Sequence, residues 1–129
     1  MFLLDTNICI YFAQGRSESL RVRMRQAIGD GLCMSAITYG ELAVGSRNSS
    51  DPAGDRKLLD ALVQIVTVQP FDRLAADTYG ALARLKGVQR RSFDRLIAAH
   101  ALSLDLTLIT NNQADFADIP GLRTENWTL

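Results

Sequence analysis

The chain alternates short apolar runs with longer, helically periodic segments, and few folds accept that pattern. Phe2 to Leu4, Leu32 to Met34, Ile65 to Val68 and Leu106 to Ile109 are apolar runs of strand length. Between them lie stretches that read as helices. One runs from about Asn7 to Ala13. A second is capped by Ser17 and ends near Gly29 or Gly31. A third is opened by Thr38 and reaches about Arg47. A fourth, with Asp51-Pro52 as its cap and first turn, reaches about Val63. Asp72 caps a fifth helix running to about Lys86. Phe93 to Leu104 forms a sixth, with Leu96, Ile97, Ala101 and Leu104 on one side. Leu122 to Thr124 offers a further strand at the edge. Strands separated by helices pair in parallel through right-handed crossovers. Strands that are apolar throughout are covered on both faces. The expected fold is therefore α/β, a three-layer α/β/α arrangement around a short parallel sheet. With 129 residues the chain forms one domain, long enough to bury a core without staples.

Composition narrows the function. The 14 basic and 14 acidic residues balance to a formal charge of zero. A protein that coats nucleic acid regardless of sequence would be strongly basic, whereas an enzyme acting at one site need not be. No apolar run approaches the ~20 residues that span a membrane. Asp5 interrupts the apolar start, and no basic residue precedes it, so no signal peptide is read there. Cys9 and Cys33 form no CxxC pair and read as buried thiols of a cytoplasmic protein.

Nucleophile and zinc chemistry are poorly supplied. His100 is the only histidine, and its place in an apolar helix suits a structural role. One His with two distant Cys does not make a zinc site. No GxxxxGK[ST] or GxGxxG loop is present. Carboxylates remain. Parallel sheets place their sites beyond the carboxyl ends of the strands, and Asp5 follows the first strand at once. Glu41 and Asp94 lie in the first turns of their helices. Asp115 and Asp118 follow the fourth strand, after Thr110, Asn111 and Asn112. Each acid has a plainer reading. Asp5 could begin a turn, and Thr38 with Glu41 fits a capping box. Asp94 could complement a helix dipole, and chemistry alone leaves Asp115 and Asp118 undecided. Converging carboxylates repel unless a cation lies among them, and hard divalent ions take such oxygen ligands. Two such ions can stabilise both oxygens of a phosphodiester displacement.

Taken together, FLLDTNICI at 2–10, MSAITYGEL at 34–42, SFDRLIAAHAL at 92–102 and LTLITNNQADFADIPGLRTENW at 106–127 resemble the PIN-domain ribonucleases. Within these the resemblance is to the VapC-like toxins of toxin–antitoxin pairs. It implies that Asp5, Glu41 and Asp94 are the family's three acids and that Asp115, rather than Asp118, is the fourth. It implies supporting polar roles for Thr6, Thr110, Asn111 and Asn112. It further implies an endoribonuclease that uses Mg²⁺, or Mn²⁺, to cut single-stranded or looped RNA such as tRNA or rRNA loops. A homodimer is implied, silenced by a VapB-like antitoxin whose tail enters the active groove. DNA would be bound only indirectly, through that antitoxin. Arg84, Lys86, Arg90, Arg91 and Arg95 are candidates to hold RNA phosphates, against the plainer reading of solvated helix faces. Arg90-Arg91-Ser92 departs from the Gly/Pro-containing turn of many relatives and adds positive charge beside Asp94. Three other readings compete. A housekeeping RNA-processing PIN nuclease would lack the antitoxin. A non-catalytic PIN-fold binding module would leave four acids idle. Aspartyl-phosphate chemistry on Asp5 would need a second Asp where Asn7 stands.

Overall fold

The computed structural model describes residues 1–85 and 92–129. Its strands are β1 (Phe2–Leu4), β2 (Leu32–Ser35), β3 (Thr67–Gln69), β4 (Thr107–Ile109) and β5 (Thr124–Glu125). They form one sheet in the order β3-β2-β1-β4-β5. Every pairing is parallel, with Leu3 opposite Cys33 on one side and Leu108 on the other. The helices are α1 (Thr6–Ala13), α2 (Glu18–Ala27), α3 (Ala36–Arg47), α4 (Pro52–Leu62), α5 (Arg73–Ala83) and α6 (Phe93–Ser103). Gly31 turns the chain from the 3₁₀ turn after α2 into β2 at φ +92°, a conformation that L side chains rarely adopt.

Alternate strand residues point to opposite faces, and this divides the core in two. Leu4, Met34 and Ile109 pack with Ile8, Leu20, Met24, Leu62 and Trp127 from the α1, α2 and α4 side. Leu3, Cys33 and Leu108 pack with Leu82, Ile97, Ala98, Ala101 and Phe116 on the other face. The three-layer expectation holds, and both cysteines are free and buried. Among the described residues no helix is long and apolar enough to cross a membrane.

Several boundaries differ from the sequence reading. β3 begins at Thr67 rather than Ile65, because the backbone N–H groups of Ile65 and Val66 still bond to Leu62 as α4 unwinds. β5 lies at Thr124–Glu125 rather than Leu122–Thr124, since it is the Arg123 and Glu125 carbonyls that meet Leu108 and Thr110. Leu104, expected on the apolar side of α6, is 37% exposed, while Ile97 to Ala101 are all buried. α3 begins at Ala36, not Thr38. Ser35 caps it by accepting from the Ile37 N–H at 3.1 Å. The capping box that Thr38 and Glu41 offered as an alternative is therefore not formed, and Glu41 lies beyond the first turn.

Leu108 reaches no solvent from the centre of the sheet, so Leu108→Ala is expected to cost about 2–5 kcal/mol. Leu104→Ala on the exposed flank of α6 should cost under about 1 kcal/mol. Urea unfolding checks both, through a lowered midpoint at unchanged slope.

Candidate metal-dependent active site

The strand order reverses direction between β1 and β4. In open parallel sheets the crevice beyond such a switch point is where ligands bind. Asp5 occupies that position. Its backbone N–H donates to the Ile109 carbonyl at 2.9 Å, so the β1–β4 pairing itself fixes the residue. Asp5 also caps α1: its Oδ1 accepts from the Thr6 N–H at 2.8 Å. Its Oδ2 accepts from the Thr110 hydroxyl, from the end of β4, at 2.9 Å. The turn that sequence alone offered as the plainer reading of Asp5 is thus real, but it accounts for only one carboxylate oxygen.

The carboxylate is buried, and burial is the main reason its pKa rises from the ordinary 3.8 to about 6. The Thr110 and Thr6 hydrogen bonds oppose that rise, and the negative charges of Asp94 and Glu41 add to it. Both acids therefore lie close enough to act on Asp5. Asp94, in the first turn of α6, is raised as well, by burial first and by Asp115 second, with the adjacent Arg95 pulling the other way. Asp5 feels Asp94 and Glu41, and Asp94 feels Asp115, so the four acids form one connected electrostatic group.

Hydroxyls and amides hold these acids in place. The Thr6 hydroxyl donates to Glu41 Oε1 at 2.8 Å and lies 3.1 Å from the Thr38 hydroxyl. Since Thr6 spends its hydrogen on Glu41, Thr38 is the donor in that second pair. The Asn112 backbone N–H donates to the Thr110 hydroxyl at 3.0 Å, and the Asn112 side-chain amide donates to the Asp115 carboxylate. Asn111 adds a buried side-chain oxygen without a hydrogen-bond partner among the described residues. Asp118 points elsewhere, into an ion pair with Arg95. Among the described residues no three acid, His or Cys side chains already stand together as a ready cage for an ion. Glu41 is turned toward Thr6 and Asp115 toward Asn112. The donor set is nonetheless all oxygen and anionic, around a carboxylate that burial leaves short of positive charge. That fits a hard divalent ion, which takes one or two carboxylates and keeps waters.

Two sequence expectations acquire a different meaning. Arg95, a candidate for RNA phosphates, is buried: it pairs with Asp118 and donates to the Asp115 carbonyl. An arginine followed at once by Leu96 and Ile97 in an apolar helix was the available signal for this. Arg84 is exposed, and Lys86, Arg90 and Arg91 lie outside the described residues. His100 is buried, with its ring edge against Phe71 and its Nδ1 2.8 Å from the Ser35 hydroxyl. The Ser35 hydroxyl thus accepts from the Ile37 N–H and shares a second hydrogen bond with His100 Nδ1. Burial lowers the pKa of His100, partly offset by Asp72 and the Pro70 backbone. The neutral ring thus ties α6 to the cap of α3. Thr38 and Ser35 are contributors that sequence reasoning missed: Thr38 read as an ordinary helix start, and nothing in the local pattern singled out Ser35.

Because Asp5 binds its proton more tightly folded than unfolded, charging it destabilises the ion-free fold as pH rises from about 4 to about 6. At pH 7, Asp5→Asn should therefore stabilise the ion-free protein by about 3 kcal/mol, roughly 10 °C in Tm. Below pH 4 the gain should vanish. Adding Mn²⁺ should raise the melting temperature of wild type but not of Asp5→Asn, by binding the folded state. Thermal scans at pH 3.5 and pH 7, with and without Mn²⁺, check this.

Comparison with known proteins agrees with the geometry. The family model "PIN domain" matches residues 2–122. The chain is 35% identical over 130 residues to the tRNA(fMet)-specific endonuclease VapC of Shigella flexneri, covering 98% of each chain. It is 35% identical over 132 residues to ribonuclease VapC1 of Haemophilus influenzae, covering 99% of this chain and 98% of that one. Among solved structures it superposes on VapBC2 of Rickettsia felis bound to a promoter DNA fragment, with TM-score 0.90, 30% identity and 98% of each chain covered. DNA-bound VapBC of Salmonella typhimurium gives TM-score 0.89 at 35% identity, covering 98% of this chain and 97% of that one. The sheet order and these relatives together make the chain a member of the PIN-domain family, of its VapC-like ribonuclease branch.

Proposed function

We propose that this chain is a metal-dependent endoribonuclease toxin held silent by a VapB-like antitoxin. The observation that carries the proposal is the buried Asp5 carboxylate at the β1–β4 switch point, raised to about 6 and within the electrostatic reach of Glu41 and Asp94. Asp5, Glu41 and Asp94 would hold Mg²⁺ or Mn²⁺, and Asp115 would help recruit a second ion. A divalent ion there supplies Lewis-acid charge for the attacking and leaving oxygens of a phosphodiester displacement. The chain's own residues do the placing. Thr110 orients Asp5, Thr6 orients Glu41, and Asn112 orients Asp115. Unstacked, looped RNA such as tRNA or rRNA loops suits such a site, because a splayed strand can bring one phosphate against it. Among the described candidates, Arg84 is the exposed cation for phosphate contact.

The antitoxin reading is supported by the VapBC complexes that the chain superposes on. A groove between α1, α3 and α4 offers Cys9, Ile10, Leu42, Leu58 and Leu62 as an apolar seat, with Glu41 also in its lining. A segment lying there would end beside the acids. The balanced charge suits a division of labour in which the antitoxin contacts DNA. Homodimerisation belongs to the same reading, with exposed Leu74, Leu85 and Phe93 available on the α5–α6 side. The cytoplasm is the compartment where such a toxin meets its RNA.

Cleavage of tRNA and rRNA fragments in Mg²⁺ or Mn²⁺ tests the activity. Asp5→Ala and Asp94→Ala should each lose about 100-fold or more, the worth of several kcal/mol of charge stabilisation. Chelation with EDTA should abolish wild-type cleavage. Equal activity in all three proteins would sink the assignment, and EDTA-resistant cleavage would sink the metal.

A further inference from the structure

Arg95 neighbours Asp94 in the first turn of α6, yet its side chain is only 9% exposed. A buried guanidinium is costly unless it is paired. Here Nη1 donates to Asp118 Oδ1 at 2.9 Å, and Nη2 donates to the backbone carbonyl of Asp115 at 2.8 Å. Nε is buried and has no partner among the described residues. The two contacts grip both ends of a short stretch: the 3₁₀ turn Gln113–Phe116, which carries Asp115, and the residues that follow it. Phe116 and Ile119 anchor the same stretch in the core, so its backbone is held against the sheet while its acid stays exposed.

We propose that Arg95 is a positioning residue of the metal site: it clamps the 115–118 segment to α6 and so fixes where the Asp115 carboxylate stands. The proposal rests on reading Asp115 as the fourth acid. Groups that orient metal ligands from behind typically contribute 10–100-fold to affinity or activity.

Mn²⁺ binding by calorimetry on the full chain, together with RNA cleavage titrated in Mn²⁺, tests it. Arg95→Met should raise the Mn²⁺ Kd about 10–100-fold, with lost activity regained at higher Mn²⁺. Asp118→Asn should shift the Kd in the same direction by less. Asp115→Asn should also weaken binding, and adding Arg95→Met to it should weaken it no further, since both act through one carboxylate. Weakened binding in Asp115→Asn with an unchanged Kd in Arg95→Met overturns the proposal alone. So does a full, additive loss in the double variant, which would mark Arg95 as merely structural. Wild-type binding and cleavage in Asp115→Asn overturn the reading of the fourth acid instead. Should Arg95→Met fail to fold, Asp118→Asn decides, and a wild-type Kd there overturns the clamp.

Discussion

Burying the Asp5 carboxylate is the constraint around which the rest of this molecule is arranged. An ionised carboxylate withdrawn from water costs several kcal/mol unless hydrogen bonds or an opposite charge replace the lost solvent. Two hydrogen bonds are provided, from the first N–H of α1 and from the Thr110 hydroxyl. The N-terminus of α1 adds a favourable dipole. These do not balance the cost, as the pKa raised to about 6 records. The remaining deficit is one of positive charge, which two neighbouring acids enlarge. A site that is short of positive charge and lined with oxygen donors has a chemical preference before any ion arrives.

The sheet makes that placement possible. The β1–β4 pairing puts Asp5 and Thr110 side by side, and the core on each face keeps both strands in register. From there one set of contacts runs outward. Asp5 meets Thr110, Thr110 meets Asn112, and Asn112 meets Asp115. Arg95 then returns from the Asp115 carbonyl to α6, beside Asp94. A second branch runs through Thr6 to Glu41 and Thr38 on α3. The same α3 is capped by Ser35, which His100 of α6 engages. The two helices that bring Glu41 and Asp94 are thus linked behind the site as well as in front of it.

The carboxylate cluster also accounts for how little of its function the molecule advertises in bulk. Its formal charge is zero, so attraction to nucleic acid is not written over the whole surface. Several arginines are spent internally: Arg21 on Glu18, Arg23 on Glu125 and Trp127, Arg56 on Asp60 and Tyr39, and Arg95 on Asp118. The concentrated charge is the negative group around Asp5 at the switch point.

The sequence by itself determined the alternation of strands and helices, the parallel sheet, and the placing of Asp5 and Thr110 at strand ends, because local periodicity and chain connectivity are written in neighbouring residues. It also carried the family's motifs, and through them the four acids proposed as the site. Tertiary structure decided what each polar residue is for. Local pattern offered Thr38 and Glu41 as a capping box. The helix starts earlier, at Ala36 with Ser35 as its cap, and this frees Glu41 to meet Thr6 across 35 residues of sequence. Asp115 and Asp118 were equivalent by local chemistry. Arg95, buried in α6, takes Asp118 as its partner, while the Asp115 carboxylate accepts from Asn112. Such choices depend on which buried groups must satisfy one another across the fold, and that is settled only when the sheet and helices close around them.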